Sequence, residues 1–127
     1  MLTRRTLVAA AACLSLTPAF AADRQVFSAA AFDAAMKAGK PVLVEVHAPW
    51  CPTCKQQEPH INKLVADPKF KALTVFKVDF DSQKDALRTI NARQQSTLIV
   101  FKGGKEVDRS VGDTDGNTIR MLVEGVL

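Results

Sequence analysis

The run Val42-Leu43-Val44-Glu45-Val46 leaves almost no wet face, and this limits the possible folds more than any other stretch of the 127 residues. A strand that is apolar on both sides has to be covered on both sides. Gly39 and Pro41 stand just before it and stop any helix from running in. Pro41–Val46 is therefore expected to be an inner strand of a sheet, with a layer of other elements against each face.

The flanking segments alternate as such a sheet requires. Gln25–Phe27 reads as a short strand. Ser28 can cap a helix through about Ala38, with Phe32, Ala35 and Met36 at helical spacing. A second helix should start at Cys51 and reach about Ala66, turning Ile61, Leu64 and Val65 to the sheet. Pro59 removes one of its hydrogen bonds, and Asp67-Pro68 closes it. Thr74–Asp79 is a strand and Ser82–Ile90 a helix. Thr97–Lys102 is a strand, Gly103-Gly104 a hairpin turn, and Glu106–Ser110 the return strand. Asp113 or Asp115 can cap a last helix carrying Ile119, Leu122, Val123 and Val126. The order β-α-β-α-β-α-β-β-α gives an α/β class: a central mixed sheet with helices on both faces, in one domain over 22–127.

Residues 1–21 read as a cleavable export signal. Arg4 and Arg5 form a basic start, Thr6–Leu16 is an apolar stretch too short to span a bilayer, and Ala19-Phe20-Ala21 is a small-x-small cleavage site. Thr3-Arg4-Arg5-Thr6-Leu7 also carries a hint of a twin-arginine signal. The expected location is thus periplasmic or secreted. The formal net charge is +4, and losing Arg4 and Arg5 leaves about +2 scattered among acids. No basic stripe with interleaved aromatics is present, so nucleic acid is not an expected partner.

Cys13 lies inside the signal, and acylation there would need a better lipobox than Ala10-Ala11-Ala12 supplies. That leaves Cys51 and Cys54, too few and too closely spaced for a disulfide scaffold. Two thiols at this spacing can close a small ring and open it again. Placed at a helix N-terminus, Cys51 would have its thiolate favoured by free N–H groups and the helix dipole. Thiol–disulfide exchange is the expected chemistry. A soft-metal module remains the alternative, with zinc or cuprous copper held by both thiols and completed by His47 or His60. Covalent c-type haem is excluded, because Lys55 stands where that motif needs histidine.

Ala48-Pro49-Trp50-Cys51-Pro52-Thr53-Cys54-Lys55, Pro59 five residues beyond the second thiol, Lys77-Val78-Asp79, the strand and turn Thr97–Gly104 and Gly112 together resemble the thioredoxin family over nearly all of 24–127. The resemblance implies the thioredoxin-like fold and a thiol–disulfide oxidoreductase acting on protein thiols and disulfides. It would be expected to work as a monomer, with the Cys51–Cys54 disulfide in place of an added cofactor and a membrane electron carrier to recharge it. Cys51 would be the exposed nucleophile and Cys54 the resolving thiol. Glu45, an acid costly to bury without a purpose, takes the place of the family's buried proton relay, with Lys77 as its charge partner. Trp50, Ser96 and Thr97 would dock substrate. The chain departs from the family in Cys-Pro-Thr-Cys, and in Ser96 where a cis-proline is usual. A cis bond without proline costs about 2.5–4 kcal/mol, so Gln95–Ser96 is expected trans.

Overall fold

A computed structural model describes residues 21–127; the expected export signal over 1–21 lies outside the described residues except for Ala21, and so does Cys13. The elements are β1 (Asp23–Val26), α1 (Ala29–Lys37), β2 (Val42–His47), α2 (Pro52–Ala66), a 3-10 turn (Pro68–Phe70), β3 (Thr74–Asp79), α3 (Lys84–Thr89), β4 (Thr97–Lys102), β5 (Lys105–Val111) and α4 (Gly116–Glu124). Their order is the expected one. Most boundaries move by a residue or two; β1 begins earlier, at Asp23, because its backbone pairs with β3 from Thr74 onward.

Local chemistry sets the helix ends. Ser28 accepts from the Ala31 N–H, and Asp115 accepts from the Thr118 N–H, each satisfying a free donor of the first turn. The helix α2 continues through Pro59 and stops at Asp67, whose side chain then caps the 3-10 turn.

The sheet runs β1-β3-β2-β4-β5. β1, β3 and β2 are parallel, and β4 and β5 are antiparallel additions on the other side of β2. β2 is thus an inner strand, and Val42 to Val46 are all buried. Successive side chains face opposite sides. Val42, Val44 and Val46 join Phe76, Ile99 and Phe101 under α1 and α3, where Phe32 and Phe101 meet edge to face at 5.3 Å. Leu43 joins Val75, Leu98 and Val100 under α2 and α4. By the same alternation Glu45 points to the α2 side, opposite Lys77 in the β2–β3 register. The thiol segment follows the end of β2, where α2 begins.

Candidate active site

Cys51 is the N-cap of α2: its sulfur accepts the Cys54 N–H at 3.2 Å, and Pro52, which has no N–H to satisfy, opens the helix. Cys54 sits one turn in, its sulfur near the Val46 carbonyl. Both are free thiols. Ala48 and Phe80 pack against them.

The structure corrects the expectation that the Cys51 sulfur is exposed. Cys51 is 1% exposed and Cys54 2%. The Cys51 sulfur turns inward because its hydrogen-bond donors are there: the Cys54 N–H and the Ser96 hydroxyl, whose oxygen is 3.2 Å from Cys51 Sγ and 3.1 Å from Cys54 Sγ. Burial pushes the Cys51 thiol up. The Cys54 thiol beside it, the Ser96 hydroxyl and the Cys54 and Thr53 N–H groups outweigh it and hold Cys51 below the ordinary thiol range. For Cys54, burial and the neighbouring Cys51 push the thiol up. The two sulfurs therefore differ in acidity, with Cys51 the one that ionises first.

Ser96 has φ of 61°, and no cis peptide bond occurs among the described residues. Its N–H donates to the Val46 carbonyl at 2.8 Å, and its carbonyl accepts from the Gly112 N–H at 3.0 Å. Gln57, buried on α2, donates to the Ser96 carbonyl at 3.2 Å and to the Asp113 carbonyl at 2.8 Å. Gln57 is a site residue not among those expected from the sequence, although Cys54, Gln57, Ile61 and Leu64 recur at helical spacing on the buried face of α2. A polar residue within that apolar row was the available signal.

Of the expected docking residues, only Trp50 is at the surface, 56% exposed. Its indole N–H donates to Asp81 at 2.8 Å, and its ring stands edge-on to Phe80. The Ser96 and Thr97 side chains are buried. The Thr97 hydroxyl donates to the Gln94 carbonyl at 2.7 Å, so it ties its own loop rather than facing a partner.

Glu45 is buried as expected, but its nearer charge partner is Arg24, not Lys77. Arg24 Nη2 lies 2.6 Å from Glu45 Oε1, whereas Lys77 Nζ is 4.0 Å away. Parallel pairing of β1 with β3 carries Arg24 to this face, where it also reaches Glu58 and Asn62 on α2. Burial pushes the Glu45 carboxyl above the usual carboxylate range; Arg24 pulls it back, Glu58 adds to the rise and Lys77 opposes it. Glu45 Oε2 is buried without a hydrogen-bond partner, and no hydrogen bond joins Glu45 to Cys54 among the described residues.

The histidines do not complete a metal site with the thiols. Among the described residues no three of His, Cys, Asp and Glu converge on a point that could hold an ion. His47 lies at the end of β2, its pKa lowered by burial and then by Lys77. His60 packs against Gly116 at the start of α4.

The thioredoxin family model matches residues 23–124. The thioredoxin of Chlamydia trachomatis is 38% identical over 82 residues, which cover 65% of this chain and 78% of that protein. Thioredoxin-2 of Saccharomyces cerevisiae is 37% identical over 89 residues, 69% of this chain and 84% of its own. The crystal structure of Trxlp from Edwardsiella tarda EIB202 aligns with a TM-score of 0.76 at 46% identity, covering 79% of this chain and 98% of that one. With a thiol pair at the start of α2 on the matching sheet, the chain belongs to the thioredoxin family of thiol–disulfide oxidoreductases.

Proposed function

We propose that this oxidoreductase works outside the cytosol as a reductant of protein disulfides, cycling between a Cys51/Cys54 dithiol and their disulfide without an added cofactor. The observation that carries the catalytic part is the donor set at the start of α2: Cys51 Sγ accepts the Cys54 N–H at 3.2 Å and lies 3.2 Å from the Ser96 hydroxyl, which favours its thiolate, while burial and the neighbouring Cys51 push the Cys54 thiol up. A thiolate attacks a disulfide and a thiol does not. Cys51 therefore makes the mixed disulfide, and Cys54 resolves it by attacking Cys51 Sγ. Because Cys51 is covered, attack requires the loops around Trp50 and Ser96 to part, and the exposed Trp50 face is where a partner lands.

Glu45 acts on the pair at a distance, through a charge that Arg24 governs. The Cys54 pKa in Glu45→Gln reads that role, and an unchanged value would end it. The export signal pattern in residues 1–21 supports a periplasmic location. Cleavage after Ala21 leaves β1 whole, with Ala22 N–H bonded to the Val65 carbonyl at 2.9 Å. A protein working there as a monomeric reductant needs recharging, which a membrane electron carrier would provide.

Trapping tests the mechanism. Cys54→Ser should accumulate mixed disulfides with periplasmic proteins, and Cys51→Ser should lose turnover; full activity in Cys51→Ser would refute the assignment. Equilibration with glutathione tests direction. A potential near the thioredoxin value of about −270 mV marks a reductant, and one near about −120 mV an oxidant. Recovery of a chain beginning at Ala22 from the periplasmic fraction tests location; retention of full-length chain in the cytosol would refute it.

A further inference from the structure

The Ser96 hydroxyl is placed where no packing need explains it. The residue is 3% exposed and holds a left-handed backbone, φ of 61°, that L-residues seldom adopt. Three hydrogen bonds enforce that backbone: Ser96 N–H to the Val46 carbonyl, and the Gly112 N–H and Gln57 side chain to the Ser96 carbonyl. The result is an oxygen 3.2 Å from Cys51 Sγ and 3.1 Å from Cys54 Sγ. Among the described residues no other hydroxyl, carboxylate or imidazole lies within hydrogen-bond distance of either sulfur.

A hydroxyl has one proton to give and lone pairs to receive another, whereas a thiolate can only accept. With Cys51 ionised and Cys54 protonated, Ser96 O–H donates to Cys51 and the Cys54 S–H donates to Ser96. The hydroxyl therefore already links the thiol that must lose a proton to the sulfur at which the leaving group will be attached.

We propose that Ser96 is a catalytic residue that carries the proton in the resolving step. This rests on the assignment of Cys51 and Cys54 as an exchanging dithiol. Once Cys51 is bonded to a substrate sulfur it has no charge, and the Ser96 hydrogen is free to turn to the departing sulfur. Cys54 Sγ attacks Cys51 Sγ and passes its proton to Ser96 Oγ. The bond between Cys51 and the substrate sulfur breaks, its electron pair stays on the substrate sulfur, and that sulfur takes the proton Ser96 gives up. A disulfide forms, a substrate thiol leaves, Ser96 is restored, and no proton is drawn from water. Reversal of the same transfers serves disulfide donation.

The test is rapid mixing of the reduced full chain with glutathione disulfide, acid quenching, and mass spectrometry of the glutathionyl adduct. The same measurement is repeated with an aromatic disulfide, whose thiolate leaves without needing a proton. Ser96→Ala removes the hydroxyl and keeps the Cβ. Ser96→Gly removes it while adopting the left-handed backbone freely, so that one of the pair folds without strain. Both variants should accumulate the glutathione adduct and resolve it about tenfold or more slowly at neutral pH, since positioned proton transfer is worth roughly 100-fold or above in favourable cases. The deficit should shrink at high pH, where Cys54 ionises unaided, and be smaller for the aromatic leaving group. Resolution of the glutathione adduct by Ser96→Gly at the wild-type rate would overturn the relay. So would an equal slowing for both leaving groups at every pH, which is what a structural role produces. Failure of the unsubstituted protein to form and resolve any adduct would instead overturn the dithiol assignment, and the relay with it.

Discussion

Replacing Arg24 with methionine should cost little stability in acid and much more above neutrality, because the partner it deserts is a buried carboxyl. Arg24 Nη2 touches Glu45 Oε1 at 2.6 Å, and the Glu45 side chain is 3% exposed. A hydrogen bond to a charged group contributes about 1.5–3 kcal/mol, and breaking a fully buried pair about 3–5 kcal/mol. The Arg24 side chain is 21% exposed and Lys77 stands 4.0 Å from the same oxygen, both of which soften the loss. The expected cost is about 2 kcal/mol near pH 8, on the order of 10 °C in Tm for a domain of this size. Burial raises the folded-state pKa of Glu45 above its unfolded value. Folded protein then holds more protons than unfolded protein between those two values, so stability falls as pH rises through that window. Removing Arg24 lifts the folded pKa further and extends the window upward. Below the ordinary carboxylate range Glu45 is neutral in both states, and the variant loses about 1 kcal/mol or less. Urea unfolding of reduced wild type, Arg24→Met, Glu45→Gln and the double variant, at acidic and alkaline pH, measures this directly. In the Glu45→Gln background the Arg24→Met cost should fall to about 0.5 kcal/mol. A cost that is the same in both backgrounds, or flat with pH, would refute the coupling of Arg24 to a buried charge.

Alkylation should separate the two thiols: Cys51 reacts with a midpoint below the ordinary thiol value and Cys54 above it, as peptide mass spectrometry after timed labelling would show. Equal labelling near neutrality would contradict the assignment of the thiolate to Cys51. Gln57→Ala should cost about 2–3 kcal/mol, from two hydrogen bonds of about 1 kcal/mol each and the void left in a buried row. Amide hydrogen exchange at Ser96 and Gly112 should quicken in that variant. Unchanged exchange there would mean that the two loops hold each other without Gln57.

Much of the fold was legible because its signals are local. Val42 to Val46 could only be an inner strand, Gly103-Gly104 could only turn, and Ser28 and Asp115 cap the helices that their spacing announced. The thiol pair was legible for the same reason: a strand, two cysteines and a helix are contiguous in the chain. Arg24 was not, because its meeting with Glu45 depends on β1 joining the sheet beside β3, with Arg24 opposite Val75 in one register. The inward turn of Cys51 was hidden too, since the hydroxyl that draws it lies 45 residues away at Ser96.

Sequence alone determined the element order, the burial of β2 and the presence of an exchangeable thiol pair at a helix start, all set by neighbours along the chain. Only the tertiary structure decided which groups hydrogen-bond the Cys51 sulfur, which cation holds Glu45, and that Ser96 aims its hydroxyl between the thiols. Hydrogen bonds and ion pairs act over a few ångströms, and here those ångströms separate residues that are distant in the chain.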